Sequence, residues 1–181
     1  MKLYVIRHGE SETNVKHVFS GWAQVALTEK GIEDAKAAKR LLSDIAFDKI
    51  YTSDLIRAKH TAELAIPGCV YEETSLLREV NVGDLTGKPA SAAQISNLDF
   101  TPFNGENREM VRIRLQKFMK MLESSSYETV AAFSHAGCLR ELLALSVGVT
   151  IPTKHLVCKN CTVMILEYTG EYWRLDSWIN P

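Results

Sequence analysis

Leu3, Tyr4, Val5 and Ile6 form a short unbroken apolar run that stops on Arg7, His8, Gly9 and Glu10. A β-branched and aromatic run of this length predicts a buried strand. Residues 11–21 are polar without a sustained period and predict a loop. Behind Thr28, a natural N-cap, Ala35, Ala38, Leu42 and Ile45 recur at helical spacing and predict a helix to about Ser43. Lys49–Thr52 predicts a second short strand, and Ser53 the cap of a second helix with Leu55, Ala58, Ala62 and Ala65 on one face. Pro67-Gly68 ends that helix, and Val70 with Tyr71 predicts a third strand. From Leu76 to Pro102 the pattern supports only one weak helix in a small-residue stretch. Asn107 caps the next helix, striped by Val111, Leu115, Phe118 and Leu122. Thr129–Ser134 is a fourth strand, ending on His135-Ala136-Gly137. A helix follows, with Leu139, Leu142 and Leu143 inward and Gly148 beyond its end. Thr162–Tyr168 and Tyr172–Trp178 alternate around Thr169-Gly170-Glu171 and predict an antiparallel hairpin.

Strands alternating with helices imply parallel strands joined by right-handed crossovers. The expected fold is a three-layer α/β/α sandwich, with a mostly parallel sheet extended by the C-terminal antiparallel hairpin. With 181 residues and neither repeat nor linker, the chain is expected to be one domain over 1–181. The net charge of -1 argues against a nucleic-acid or membrane-surface partner, so any positive site is local. No apolar run approaches a membrane span, and Arg7 and His8 interrupt the N-terminus too early for a signal peptide, so the expected location is cytoplasmic. Four scattered cysteines do not make a disulfide scaffold.

Three predicted strands end at reactive or basic groups: Ile6 at Arg7-His8, Thr52 just before Arg57, and Ser134 at His135. Parallel strands share one carboxyl edge, where ligands of open α/β sheets bind. Two histidines and two arginines therefore converge from distant parts of the sequence. Arginine suits bidentate phosphate contact. The helices after Ser53 and His135 aim their N-termini at the same edge, where an anion is favoured. The cluster reads as a phosphate pocket containing a candidate histidine nucleophile, and the cations hold His8 neutral. Two other classes stay open. One is a metal-dependent hydrolase with His8, His135 and carboxylates as ligands, marked by loss of activity in chelator. The other is a non-catalytic phospholigand binder.

Arg7-His8-Gly9-Glu10-Ser11-Glu12-Thr13-Asn14 resembles the signature of the histidine phosphatase superfamily, in the branch of cofactor-dependent phosphoglycerate mutases and related phosphatases. Further motifs resemble the family in order: Ser20-Gly21-Trp22, Leu27-Thr28-Glu29-Lys30-Gly31, Ser53-Asp54-Leu55-Ile56-Arg57-Ala58 with Thr61-Ala62, Leu77-Arg78-Glu79 with Gly83 and Gly87, Gly105-Glu106-Asn107 and Ser134-His135-Ala136-Gly137. The resemblance implies that His8 is the phosphorylated nucleophile and that Arg7, Arg57 and His135 hold the phosphoryl oxygens. It also implies that Glu79 protonates the leaving oxygen, that Asn14 contacts phosphate, and that Ser20 and Gly21 line the substrate entrance. The implied partner is a small phosphomonoester, with no metal and no cofactor.

Gln24 and Ala26 stand where the family usually has Asp and Pro, Ala136 replaces a Gly, and Asn107 replaces a Ser. Between Thr86 and Asn104 the mutases carry an arginine pair that recognises the sugar-acid carboxylate, whereas this chain has only Lys88. That favours phosphatase over mutase. Glu10 and Glu106 compete with Glu79 for the acid role. His17, His60 and His155 are expected to have no part in the chemistry. Cys158-Lys159-Asn160-Cys161 reads as two small apolar residues flanking a turn rather than half a zinc site. Trp22 is expected to pack or to wall the pocket.

Overall fold

The computed structural model describes residues 1–152 and 155–181. In chain order the elements are β1 (Lys2–Arg7), α1 (Glu12–Val15), α2 (Glu29–Leu42), β2 (Lys49–Ser53), α3 (Ile56–Ala65), β3 (Glu72–Thr74), α4 (Ala92–Asn97), α5 (Arg108–Glu123), β4 (Thr129–Ser134), α6 (Ala136–Val147), β5 (Val163–Tyr168) and β6 (Trp173–Ile179). The strands form one sheet in the order β3-β2-β4-β1-β5-β6. β3, β2, β4 and β1 are parallel, and β5 and β6 add the antiparallel edge. This is the expected three-layer α/β/α sandwich.

The alternation of the strands sorts the core onto two faces. Leu3 and Val5 of β1 and Val130 and Ala132 of β4 meet α5 and α6 through Val111, Leu115, Phe118, Leu122, Leu139 and Leu142. Ile6, Ala131 and Phe133 face the other way, onto Ala35, Ala38 and Leu42 of α2 and Ala58, Ala62 and Ala65 of α3. Each large side chain buried this way stabilises the fold by roughly 1.5–3 kcal/mol. The small stripes of α2 and α3 let both helices approach the sheet closely. The same closeness recurs where the end of β1 meets the start of α2: a Cβ on Gly31 would come 2.0 Å from the Glu10 carbonyl oxygen.

Three sequence expectations are corrected. The third strand is Glu72–Thr74, not Val70–Tyr71, and Val70 is 91% exposed. The edge strand is polar, its acidic residues reaching Lys49 and Lys59. Leu55, not Ser53, is the N-cap of α3; Ser53 ends β2 and its hydroxyl accepts from the Leu55 N–H at 3.3 Å. The hairpin strands begin one residue later than the alternation suggests. Among the described residues no helix is long and apolar enough to cross a membrane.

Candidate active site

The register sets the site. Arg7 pairs with Ser134 across β1 and β4, so the next residues, His8 and His135, leave the sheet side by side with ring centroids 5.1 Å apart. The neighbouring strand β2 ends at Ser53, whose hydroxyl lies 2.9 Å from His135 Nε2. α3 then brings in Arg57 in its first turn, 1% exposed.

His8 is buried, and its Nδ1 lies 2.7 Å from the Gly9 carbonyl oxygen. A carbonyl only accepts, so the neutral ring carries its proton on Nδ1 and a lone pair on Nε2. Burial first, then the Arg57 and Arg7 charges, hold the His8 pKa well below the ordinary histidine value. The same causes, with the His8 ring added, depress His135 well below it too.

Arg57 spends both terminal nitrogens on the entrance loop, donating to the Gly21 carbonyl at 3.0 Å and the Ala23 carbonyl at 2.9 Å. Burial pushes its pKa down to about 10, so it remains a cation at neutral pH. Arg7 donates to the Cys158 carbonyl. Arg7 Nε, Arg57 Nε, His135 Nδ1 and Arg140 Nε are all buried with no hydrogen-bond partner among the described residues. Buried polar groups are ordinarily paired, so this cluster of nitrogens suits an oxyanion.

Glu79 sits opposite. Its carboxylate accepts from the Val80 N–H at 2.9 Å and the Gly137 N–H at 3.2 Å, at the start of α6. Its carbonyl accepts from the Trp22 indole at 2.8 Å and from Arg114 at 3.1 Å. The competing carboxylates are engaged elsewhere. Glu106 pairs with Arg114 and accepts from the Asn81 N–H, and Glu10 accepts from the Thr28 hydroxyl. Trp22 does not wall the cavity as one expectation had it; it latches the Glu79 backbone and stacks under Arg78, itself paired with Asp54.

A cavity of about 630 Å³ opens from this edge, walled by Arg7, Asn14, Ser20, Gly21, Glu79 and Arg140 at the polar end. Val18, Phe19, Val80, Leu98, Phe100 and Ile151 line its apolar part. Asn14, Ser20 and Gly21 thus stand where the entrance was expected, and His17, expected to be uninvolved, is also part of the wall. Asn14 Oδ1 is held by the Ser11 N–H at 3.1 Å and by Asn160 Nδ2 at 3.0 Å. Asn160 Nδ2 also reaches the His8 carbonyl at 3.1 Å. The Cys158–Cys161 turn, read as packing alone, therefore buttresses both Arg7 and His8. Among the described residues no group of three or more His, Cys, Asp or Glu is placed to hold a metal ion.

Sequence reasoning missed Arg140, Arg114 and Asn160, and named Ser53 and Thr61 within motifs without giving either a part in the site. Thr61 accepts from the Gly9 N–H at 3.0 Å and donates to the Arg57 carbonyl at 2.7 Å, tying the two catalytic-edge segments together. Its position one turn after Arg57 on the same helix was the available signal.

The model of the histidine phosphatase superfamily, branch 1, matches residues 3–181. The chain belongs to that family. It is 35% identical over 158 residues to the adenosylcobalamin/alpha-ribazole phosphatase of Salmonella typhimurium, covering 80% of this chain and 78% of the relative. It is 33% identical over 174 residues to a 2,3-bisphosphoglycerate-dependent phosphoglycerate mutase of Beijerinckia indica, covering 83% of each. Among solved structures, the mycobacterial glucosyl-3-phosphoglycerate phosphatase in complex with VO3 superposes with a TM-score of 0.87 at 28% identity over 98% of each chain. The chain is a phosphatase of the phosphoglycerate mutase family that works through a phosphohistidine on a small phosphorylated substrate.

Proposed function

We propose that His8 is the nucleophile of this phosphatase, with Glu79 as its proton donor and Arg7, Arg57 and His135 as the phosphoryl-binding groups. The observation that carries the reading is the His8 ring. Nδ1 is tied to the Gly9 carbonyl, and Nε2 keeps a lone pair under the charges of Arg57 and Arg7, whose buried Nε atoms have no hydrogen-bond partner among the described residues. In the first half-reaction the Nε2 lone pair attacks phosphorus, the P–O ester bond breaks, and its electron pair goes to the departing oxygen. Glu79 gives that oxygen a proton. In the second, water attacks the phosphohistidine, Glu79 takes the water proton, and the N–P electrons return to Nε2 with release of inorganic phosphate. Each displacement is easier than a single direct one. The fixed cations stabilise the charge that grows on the phosphoryl oxygens. Asn14, Ser20 and Gly21 bind and admit the substrate, and no metal or cofactor takes part.

Hydrolysis is favoured over mutase chemistry by the cavity wall. The stretch from Thr86 to Asn104 contributes Ala90, Ile95, Ser96, Leu98 and Phe100 to it, mostly apolar and with no arginine, while Lys88 is exposed and outside the lining. That apolar wall suits a phosphomonoester with a sizeable organic group, as the alpha-ribazole and glucosyl-phosphoglycerate names of the relatives suggest. We read the chain as a single cytoplasmic catalytic domain over residues 1–181.

Rapid quenching with labelled phosphomonoester, in chelator, tests the reading. The expected result is acid-labile, alkali-stable label at residue 8, absent from His8→Ala, with hydrolysis exceeding interconversion of 2- and 3-phosphoglycerate. Label persisting in His8→Ala, or turnover lost in chelator and restored by a divalent metal, overturns it.

A further inference from the structure

Thr52 pairs with Phe133 across β2 and β4, so Ser53 closes its strand beside the end of β4, one step before His135. Both side chains are fully buried. The Ser53 hydroxyl lies 2.9 Å from His135 Nε2, and its oxygen accepts from the Leu55 N–H at 3.3 Å. Among the described residues these are the two hydrogen bonds that the hydroxyl makes. A serine hydroxyl carries one proton and two lone pairs. The Leu55 N–H takes a lone pair, so the proton has His135 Nε2 as its acceptor.

Two arrangements of protons fit a neutral His135 ring. In the first, Ser53 donates to an Nε2 lone pair and the ring proton sits on Nδ1. In the second, Nε2–H donates to Ser53, the serine proton has no acceptor in a fully buried place, and Nδ1 carries a lone pair. A buried donor left unmade costs about 1–3 kcal/mol. The second arrangement also offers a lone pair, rather than a proton, to an oxyanion held by Arg7 and Arg57. A doubly protonated ring would let both nitrogens donate, but burial first, then the neighbouring charges led by Arg57, oppose it. With Nε2 engaged by Ser53, Nδ1 is the nitrogen left for a ligand. It is buried and unpartnered, like Arg7 Nε and Arg57 Nε.

We propose that Ser53 is a positioning residue that fixes the tautomer of His135, so that His135 meets a phosphoryl oxygen through Nδ1–H as a neutral donor. This rests on the reading of His135 as a phosphoryl-binding group. The two rings of the site then share one tautomer and use it in opposite ways. The Gly9 carbonyl accepts from His8 Nδ1–H and leaves that ring a free lone pair. The Ser53 hydroxyl donates to His135 Nε2 and leaves that ring a free proton. Whether the partner accepts or donates is what makes one histidine a nucleophile and the other a donor.

Imidazole nitrogen NMR of the whole protein at neutral pH tests this, with the His135 resonances assigned by their loss in His135→Ala. The couplings of each ring nitrogen to the ring carbon protons identify which nitrogen carries the proton. Wild type is expected to show His135 protonated at Nδ1. A ring protonated at Nε2, or at both nitrogens, overturns the proposal without any Ser53 variant having to fold. Ser53→Ala should mix the two tautomers and weaken binding of inorganic phosphate roughly 10-fold. It should also lower kcat/KM for an alkyl phosphate and for p-nitrophenyl phosphate by a similar factor, whereas damage to the proton donor falls on the alkyl phosphate. Ser53→Thr, which keeps the hydroxyl, should restore the Nδ1–H tautomer and most of the phosphate affinity. A folded Ser53→Ala protein that keeps the pure Nδ1–H tautomer, or wild-type phosphate affinity, also overturns the proposal. Phosphate binding to His135→Ala separates the two readings. Unchanged affinity there sinks the phosphoryl-binding role of His135 whatever its tautomer. Weakened affinity there, together with a wild-type ring protonated at Nε2, sinks only the role of Ser53.

Discussion

Glu79 is held at both ends, its carboxylate by the backbone at the start of α6 and its carbonyl by Trp22 and Arg114. The carboxylate rests directly on Gly137, where an added Cβ would lie 2.3 Å from Glu79 Oε1 and 2.8 Å from Val80 Cγ2. Gly137→Ala therefore moves the carboxylate without touching His8. A departing alkoxide needs a proton whereas p-nitrophenolate leaves without one, and general-acid help is worth about 100- to 10,000-fold where it is needed. Gly137→Ala should depress turnover of an alkyl phosphate far more than that of p-nitrophenyl phosphate, in the same direction as Glu79→Gln. An unchanged ratio of the two substrates' kcat/KM in both variants would mean that Glu79 is not the proton donor. Arg7, His8 and His135 are legible in the sequence because each follows an apolar strand directly, and a strand's carboxyl end fixes where its next residues go. Arg140 is not, because its place in the cavity wall depends on the rotation of α6.

The Cys158–Cys161 turn shows how an element can serve a site from outside it. Its Cys158 carbonyl accepts from Arg7, and its Asn160 amide joins the His8 carbonyl to Asn14. The Cys161 N–H adds a 3.3 Å bond to the same His8 carbonyl. Asn160→Ala leaves those acceptors short of a donor and should destabilise the protein by about 1–3 kcal/mol. It should also lower kcat, because the backbone of His8, the proposed nucleophile, loses a support. Urea denaturation read beside steady-state kinetics checks both, and a variant with wild-type stability and kcat would show the turn to be passive. The cysteines that mark this turn in the sequence point to metal or packing, and neither hints at a backbone clamp. β3 illustrates the opposite failure. Burial patterning looks for apolar strands, but a three-residue edge strand is held by ladder bonds and by Lys49 and Lys59, so two of its residues, Glu72 and Glu73, are acidic.

At the scale of the whole molecule, the parallel strands bring two histidines and three arginines to one edge, and the fold bears the electrostatic consequence. His8 is 3% exposed and His135 fully buried, and burial with the neighbouring arginines holds both pKa values well below the ordinary one. Below about 6.5, the ordinary histidine pKa, an unfolded chain takes up protons on these two rings that the folded chain refuses. The unfolded state then binds more protons, so stability falls as the pH falls, with a limiting slope of about 1.4 kcal/mol per pH unit for each ring. The loss continues until the depressed folded values are reached. Asp54 works in a lower window: Arg78 holds its carboxyl below the usual range, so its contribution is present above about 3.9 and lost beneath it. Between pH 6.5 and 5 the two buried rings should therefore dominate. Denaturant titrations across that interval should show wild type losing stability steeply, and His135→Gln losing it with a slope lower by about one ring's share. Equal slopes would mean that the His135 ring titrates normally in the folded state. The same burial and arginine charges that make the fold sensitive to acid keep the His8 lone pair free of a proton, so the acid sensitivity and the role proposed for His8 have one physical origin.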